Sequence, residues 1–514
     1  MDRLTGVIIV CFMGLITIGC RPDLDTIRNK SEKVSSIPSI MPEYIGITIP
    51  PNIAPLNFSV QDSCTDCIAE LSSVSGVPIV VRGEKNGVRI DQNEWKKLLA
   101  LNTGKPLRIT VYTKKRTGQW KKYADIVNTI ATEPVDEYCT YRLLNFQYNF
   151  WNDLRECQRN LTSYEEKAFV NSQNYRVKSA LETKCMNCHM PFKNNSDRFV
   201  LQIRSIKNKA ETIIADGDSI TVVSSKLGYP AWHPGGNLIA FSVYKVQQYF
   251  HSVGSQFIDV FDNGSDVVIY DHVNRSIIPL PQLSQDNTLE TWPAWSSDGK
   301  YLYYCSAPVP WADQNKEPPD NFNKTRYSLL RISFDSTTRS FGPIDTVLSS
   351  LQIGLSIAQP RISPDNRFCI FSMQDYGAYP HSNATSDLYI LDMQTMQYSK
   401  MPVNSAYNES WHSWSKNSRW ILFSSKRGGG LLTRLYIAHI DSSGNASKPF
   451  VLPQEAPDFY NSFTKCYNVA EFADAPIRFS EREMDKAIFK RTPVKVDLPK
   501  TNTVLKNLTN QDIR

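Results

Sequence analysis

Beyond its first eighteen residues the sequence has no apolar run long enough to cross a bilayer, which takes about 20 residues. It has only 7 histidines in 514 residues, no Gly-x-Ser-x-Gly, and a single Cys-x-x-Cys-His with no second Cys-x-x-Cys or histidine pair nearby. Each absence excludes something. Without a nucleophile elbow, and with only about 40 residues after Phe472, there is no room for an α/β-hydrolase domain. Without further Cys/His ligands the Cys-x-x-Cys-His cannot be half of a zinc site, which needs four. No aromatic residues interleave the basic stretches and no nucleic-acid-binding motif occurs, so nucleic acid is not expected as a partner. No catalytic residue is assigned, and the protein is not read as an enzyme.

What is present points to strands and turns. With 41% hydrophobic and 11% aromatic residues the chain can bury sizeable cores, and its 30 Pro, 23 Gly, 24 Tyr and 23 Phe favour β structure over helical bundles. The net charge of +6 is unevenly spread. Residues 82–122 hold twelve Lys/Arg against three Asp/Glu, and residues 176–210 hold eight against two. A basic surface can steer an acidic redox partner, or be an ordinary solvated face. At the N-terminus Arg3 precedes an apolar run from Val7 to Ile18 and then Gly19-Cys20, the layout of an export signal. Thr17-Ile18-Gly19-Cys20 resembles a lipobox, although Thr17 departs from the usual Leu-like residue, and this implies diacylation of Cys20. Residues 21–44, polar and rich in alternating charge, read as a flexible tether.

Cys185-Met186-Asn187-Cys188-His189 has the spacing that attaches haem c, the two thiols adding across the haem vinyls and the histidine becoming the proximal iron ligand. From 11 Cys and 7 His in 514 residues, chance supplies roughly 0.003 such matches. One covalent haem is therefore expected, on Cys185 and Cys188, with iron on His189; a local disulfide is the alternative. Of the other cysteines, Cys64 with Cys67, and Cys139 with Cys157, are candidates for structural pairs. Cys305 and Cys369 sit in apolar runs as small buried hydrophobes.

The second signal is a repeat. Gly228 to Ser242, Trp292 to Tyr304, Gln359 to Ser372 and Trp411 to Ser424 share a strand, a tight Asp/Asn/Gly turn and a second strand of bulky residues, which is hairpin chemistry. Equivalent positions Trp232, Trp295, Ile362 and Trp414 lie 63, 67 and 52 residues apart. A third strand follows in each copy, as in Asp266–Asp271 and Asp387–Asp392, and four strands per unit make a propeller blade. Phe199 to Ala215 reads as the outer strands of one more blade, which Phe459 to Phe472 would complete from the other end of the chain.

These repeats resemble the blades of TolB-like β-propellers, whose pattern is Pro-Ala-Trp-Ser-Pro-Asp-Gly-Lys. The resemblance implies six blades; the residues show five. Upstream, residues 45–135 read as a small β-sandwich with one helix at Asn93 to Leu101. Residues 136–195 read as a short helical haem-attachment segment, with Ser163 and Glu166 spaced as a capping box. The propeller is expected over 196–475 and a tail over 476–514. His233 and His412 fall in or beside innermost strands.

The whole is similar to Bacteroidetes-type lipoproteins with one haem motif ahead of a TolB-like propeller. The likeness is carried by Thr48 to Phe58, by Tyr141 to Leu144 with Gln158 to Leu161, and by Cys185 to His189. Where those relatives carry His-x-Arg, this chain has Gln202-Ile203-Arg204; Met190 adjoins the proximal histidine and cannot easily swing to the far face, which leaves His233, His251, Met373 or His381 as candidate distal ligands, or an open position. The expectation is a lipid-anchored monohaem protein, held at the periplasmic face of the outer membrane with cell-surface display as the alternative, that passes or senses electrons and docks a redox or envelope partner on its propeller. The alternative is a cell-envelope binding scaffold without haem.

Overall fold

The structure, a computed structural model, describes residues 23–84, 86–146, 153–174, 184–205, 209–224, 227–253, 256–278, 280–311 and 320–496. For Cys185 and Cys188 it describes the backbone alone, and Cys20 lies outside the described residues.

The first unit comprises α1 (Leu24–Lys30), β1 (Glu32–Lys33), β2 (Ile40–Met41), β3 (Thr48–Ile49), β4 (Phe58–Val60), β5 (Asp66–Ser72), β6 (Ile79–Arg82), β7 (Gly87–Val88), α2 (Gln92–Leu101), β8 (Pro106–Lys114), β9 (Trp120–Lys122) and β10 (Ile126–Ile130). Seven of these strands form one sheet centred on β5 and β8; β2, β4 and β7 form another. Alternation along each strand divides the large sheet's faces. Ala69, Leu71, Ile109 and Val111 join Phe58, Val60 and Val88 of the small sheet and Trp95 and Leu98 of α2 in one core. On the opposite face Ile68, Tyr112 and Trp120 pack beneath Ile27 of α1. The helix expected at Asn93 to Leu101 is α2, started where Asp91 accepts the N–H groups of Asn93 and Glu94 at 2.9 Å, as N-caps do. The expected tether is corrected from Asp23 onward: Ile27 and Tyr44 are 1% and 0% exposed.

From Tyr138 the chain builds six antiparallel sheets, and the first needs both ends of the region. Its strands are β11 (Tyr138–Asn145), β12 (Arg155–Asn160) and β13 (Glu166–Asn171). The second holds β14 (Lys184–Phe192), β15 (Asn195–Ser205), β16 (Lys209–Asp216) and β17 (Ser219–Ser224), and the third β18 (Gly228–Trp232), β19 (Leu238–Phe250), β20 (Ile258–Asp271) and β21 (Ser276–Ile278). The fourth holds β22 (Thr288–Trp295), β23 (Tyr301–Pro308), β24 (Ser328–Asp335) and β25 (Ser340–Leu348). After a turn of helix, α3 (Ser350–Ile353), come β26 (Ser356–Ile362), β27 (Phe368–Gln374), β28 (Asp387–Asp392) and β29 (Gln397–Lys400), then β30 (Glu409–Trp414), β31 (Trp420–Ser425), β32 (Arg434–His439) and β33 (Phe450–Val451). Past α4 (Phe459–Ser462), β34 (Lys465–Ala473) returns to pair with β11 and completes the first sheet. The inner strands β14, β18, β22, β26, β30 and β34 touch one another in that order, and β34 touches β14, so the contacts run in a closed circuit. The molecule is mainly β and of propeller type.

Three expectations are corrected here. Residues 136–195, where described, are β11 to β14 with a 3-10 turn at Ser172–Asn174, not a helical segment. The spacing of Ser163 and Glu166 mimics a capping box, but Ser163 Oγ takes the Glu165 N–H at 3.3 Å in a turn, and Glu166 opens β13, where its carboxylate accepts the Tyr141 phenol. The strands at Phe199 to Ala215 belong to the sheet led by β14, while the closing strand pairs with β11. The tail, as far as residue 496, is built in: α5 (Glu481–Lys490) buries Met484, Ala487 and Ile488 against Phe169, Phe199 and Ile220, and β35 (Val494–Lys495) extends the second sheet beside β17. The first unit is continuous with the ring, since Trp420, Leu422, Leu435 and Ile437 share its core.

Candidate functional site: the innermost strand that carries Cys185 to His189

Every innermost strand is bulged at one place. The register slips between Asn187 and Met190, Gly228 and Ala231, Thr291 and Ala294, Ala358 and Arg361, and Ser410 and His412. At those bulges Tyr229, Trp292, Gln359 and Trp411, with Val469 of β34, have φ of 48°, 53°, 54°, 46° and 52°. Bulky residues rarely adopt this left-handed backbone, and bulges that do so re-aim side chains. Register therefore puts Cys188 where the other sheets have Trp292 and Trp411, and His189 where they have Pro293 and His412. The motif stands where the other sheets carry Tyr229-Pro230, Trp292-Pro293, Gln359-Pro360 and Trp411-His412. His189, Met190, Tyr229, Trp292, Gln359, Arg361 and Trp411 line a void of about 20 Å³, room for one water.

His189 is 2% exposed. Its ring lies against Phe169 and Phe199, with centroids 5.5 and 5.0 Å away. Thr140 Oγ1 holds Nδ1 at 2.9 Å, while Nε2 is buried with no hydrogen-bond partner among the described residues. Burial pushes the imidazole down to about 3, so it is neutral at physiological pH. A neutral ring with Nδ1 fixed and Nε2 open has the donor arrangement of a metal-bound histidine. The donor chemistry thus fits a haem iron; the adjoining void has the size of a water.

Around β14 lies a set of buried charges that the sequence did not single out. Arg142 of β11 reaches across to the Met186 carbonyl and the Asn187 side chain. Opposite it in register stands Glu156, 0% exposed, with neither carboxylate oxygen partnered among the described residues. Burial raises that carboxyl to about 7, against a lowering by Arg142. Arg361 extends to Glu471 of β34 at 2.6 Å and to Met190 Sδ at 3.1 Å; burial lifts Glu471 to about 7 against the pull of that guanidinium. Glu156 and Glu471 gave no signal because a charged residue in a polar-looking strand ordinarily faces solvent.

Three of the candidate distal ligands are engaged elsewhere. His233 accepts the Gly235 N–H at 3.0 Å and sets Nε2 against the Gly299 carbonyl at 3.3 Å. Gly299, at φ +73°, comes so close that a Cβ would stand 2.6 Å from that nitrogen. His251 pairs with Asp259 at 2.7 Å on the long β19–β20 hairpin, and Met373 is buried in the core with Cys369 and Phe371. The exception is His381, which lies against Tyr379 and Trp411, the latter lining the void, with Nδ1 buried and without a hydrogen-bond partner among the described residues. His412 gives Nε2 to the Ile370 carbonyl at 2.9 Å. The proposed cysteine pairs are corrected: Cys64, Cys67, Cys139 and Cys157 are free thiols, and in register Cys139 faces Arg159 while Cys157 faces Tyr141. Cys305 and Cys369 are buried, as expected.

No family model and no curated protein matches this chain. Among solved structures it is similar to an oligogalacturonate lyase in complex with manganese (12% identity, TM-score 0.31, 73% of this chain and 96% of the other). An oligogalacturonate lyase from Vibrio parahaemolyticus gives 11% identity, TM-score 0.32, 74% and 100%. The Dos1 propeller gives 13% identity, TM-score 0.27, 45% and 64%. Likeness this distant assigns no activity.

Proposed function

We propose that the protein is a lipid-anchored, exported monohaem protein whose haem c is joined to Cys185 and Cys188 on β14, with His189 as the iron ligand. In this reading the ring of sheets is a six-bladed TolB-like propeller, the first unit a β-sandwich, and the propeller the docking platform for a redox or envelope partner at the periplasmic face of the outer membrane. The observation that carries it is the open Nε2 of His189, left without a partner at 2% exposure in the motif whose spacing haem attachment requires. Haem, when bound, supplies a one-electron centre. The chain's own residues hold the ligand ready: Thr140 fixes the ring's orientation through Nδ1, burial keeps it unprotonated, and Phe169 and Phe199 pack against its ring.

A second reading, a binding scaffold without haem, is favoured by one observation, the water-sized void beside His189. A pyridine haemochrome spectrum of protein co-expressed with a cytochrome c maturation system separates the two. The expected result is a covalent c-type signal that disappears in Cys185→Ala and in Cys188→Ala. A colourless protein despite competent maturation would leave the scaffold.

A further inference from the structure

The basic stretch of residues 82–122 is not spread evenly over the first unit. Lys114, Lys115, Arg116, Lys121 and Lys122 fall within nine residues without one acid, on the β8–β9 hairpin. That hairpin is beside the start of the described chain. β1 pairs with β9, Glu32 opposite Lys121 and Lys33 opposite Lys122, and Ile27 of α1 packs on Tyr112 and Trp120. Arg28 fastens the helix further, bonding Glu70 at 2.8 Å and Asp25 at 2.9 Å.

Because α1 is fastened, the anchor has no slack. Only Arg21 and Pro22 separate Cys20 from Asp23, and three residue steps reach at most about 11 Å. That is close to the Debye length of about 8–10 Å at physiological salt, so charges beside α1 would feel a membrane surface at which Cys20 was lipidated. The face involved is also free of the propeller. α1 covers Ile68 and Tyr112 on one side of the large sheet, while the core shared with Trp420 and Leu435 lies on the other.

We infer that the α1 and β8–β9 face of the first unit lies against an anionic phospholipid surface, with Lys114, Lys122 and the hairpin tip's Lys115 and Arg116 at the phosphates and the propeller held away from the membrane. Lys114 and Lys122 are on the α1 side with Trp120 and Tyr112; Lys121, over Tyr123, is on the other face. The inference rests on the reading of Cys20 as the lipidated residue. Nearby acids temper the charge without cancelling it. Asp25 is paired with Arg28, Glu32 with Lys115 at 3.3 Å, and Lys30, Lys33 and Arg116 remain exposed.

Two assays test it separately. The chain from Arg21 onward, which keeps every described element, is floated with vesicles of phosphatidylcholine alone or mixed equally with phosphatidylglycerol. Binding is expected only to the anionic vesicles, weakening as salt is raised. The Lys115→Glu, Arg116→Glu variant is expected to bind at least about tenfold more weakly. Lys96→Glu with Lys97→Glu, equal in charge but on α2, is expected to leave binding unchanged. No binding, equal binding to both vesicles, or equal loss in the two variants overturns the inference at the surface. Palmitate labelling of the full-length chain, lost in Cys20→Ala, is expected to report the anchor; absence of label from the wild type overturns the inference at its premise.

Discussion

His189 and His412 occupy the same place in two sheets, just past the bulge of an innermost strand, and both are nearly fully buried. Burial pushes both imidazoles to about 3. They differ in which nitrogen is tied down. His412 gives its outer nitrogen, Nε2, to the Ile370 carbonyl of the preceding sheet and leaves Nδ1, the one next to its own backbone, without a bond. His189 does the reverse. Thr140 takes Nδ1 from the neighbouring sheet and Nε2 stays open. A histidine in this position can therefore be mortar between two sheets, as His412 is, or a ligand held out by one of them. The lesson is that burial and a low pKa do not separate the two uses; the choice of nitrogen does.

The largest expected effect breaks this comparison if it is wrong. In haem-loaded protein His189→Ala should abolish the native axial ligation, seen as a changed Soret and Q-band spectrum, whereas His412→Ala should keep the spectrum. The His412 variant should instead lose about 2 kcal/mol of stability, from a buried hydrogen bond and the void left behind, measured by chemical denaturation. Spectra that change in both variants, or in neither, would make the two histidines alike.

A second effect concerns the unpartnered carboxyl beside β14. Glu156 is raised from 4.5 to about 7, so its burial is tolerated while it is protonated. The stability it permits is full below pH 4.5 and is lost as pH rises through about 7. Glu156→Gln should accordingly match the wild type near pH 4 and exceed it by on the order of 2 kcal/mol above pH 7, read as denaturation midpoints across pH. The buried histidines act in the opposite sense. His189, lowered from 6.5 to about 3, contributes stability that is full above pH 6.5 and lost as pH falls toward 3. A wild-type stability maximum between these limbs is expected, and His189→Leu should soften the acid limb only.

The smallest effect sharpens the comparison. Thr140→Val keeps the shape beside His189 but removes the bond to Nδ1. It should cost about 1 kcal/mol and, in loaded protein, shift the reduction potential without loss of the haem. An unchanged potential would mean that Thr140 does not orient the ring.

The repeats from Gly228 to Ser424 were legible because each carries a tight turn and a bulky second strand, and three of the four a Trp or Tyr at the bulge. The first two sheets were legible only in part, through Phe199 to Ala215 and the returning strand near Phe472, while β11 to β14 were not, for a physical reason. In β34 the bulge falls at Asn468-Val469-Ala470, and in β14 the motif itself stands where the bulge residues of the repeat would be, so a chemical signature masked a structural one. Met190-Pro191-Phe192-Lys193-Asn194-Asn195 is the echo of Ala294-Trp295-Ser296-Ser297-Asp298-Gly299 that register reveals. The helix expected around Ser163 failed because a serine three residues before a glutamate satisfies a turn and a strand start as readily as a cap. At the site, His189 was legible from spacing alone, while Thr140, Arg142 and Glu156 were not, because they reach β14 from another sheet.

The pairing of β34 with β11 also sets an order of events. A polypeptide leaves the ribosome and crosses a membrane N-terminus first, so β14 emerges almost three hundred residues before the strand that closes the circuit around it. Until then it is the exposed end of an unfinished arc. In the closed ring β34 touches β14, and His189 and Met186 are 2% and 1% exposed. Any enzyme that works on this strand meets its substrate in that interval, and the delay before the last strand arrives is the time it has.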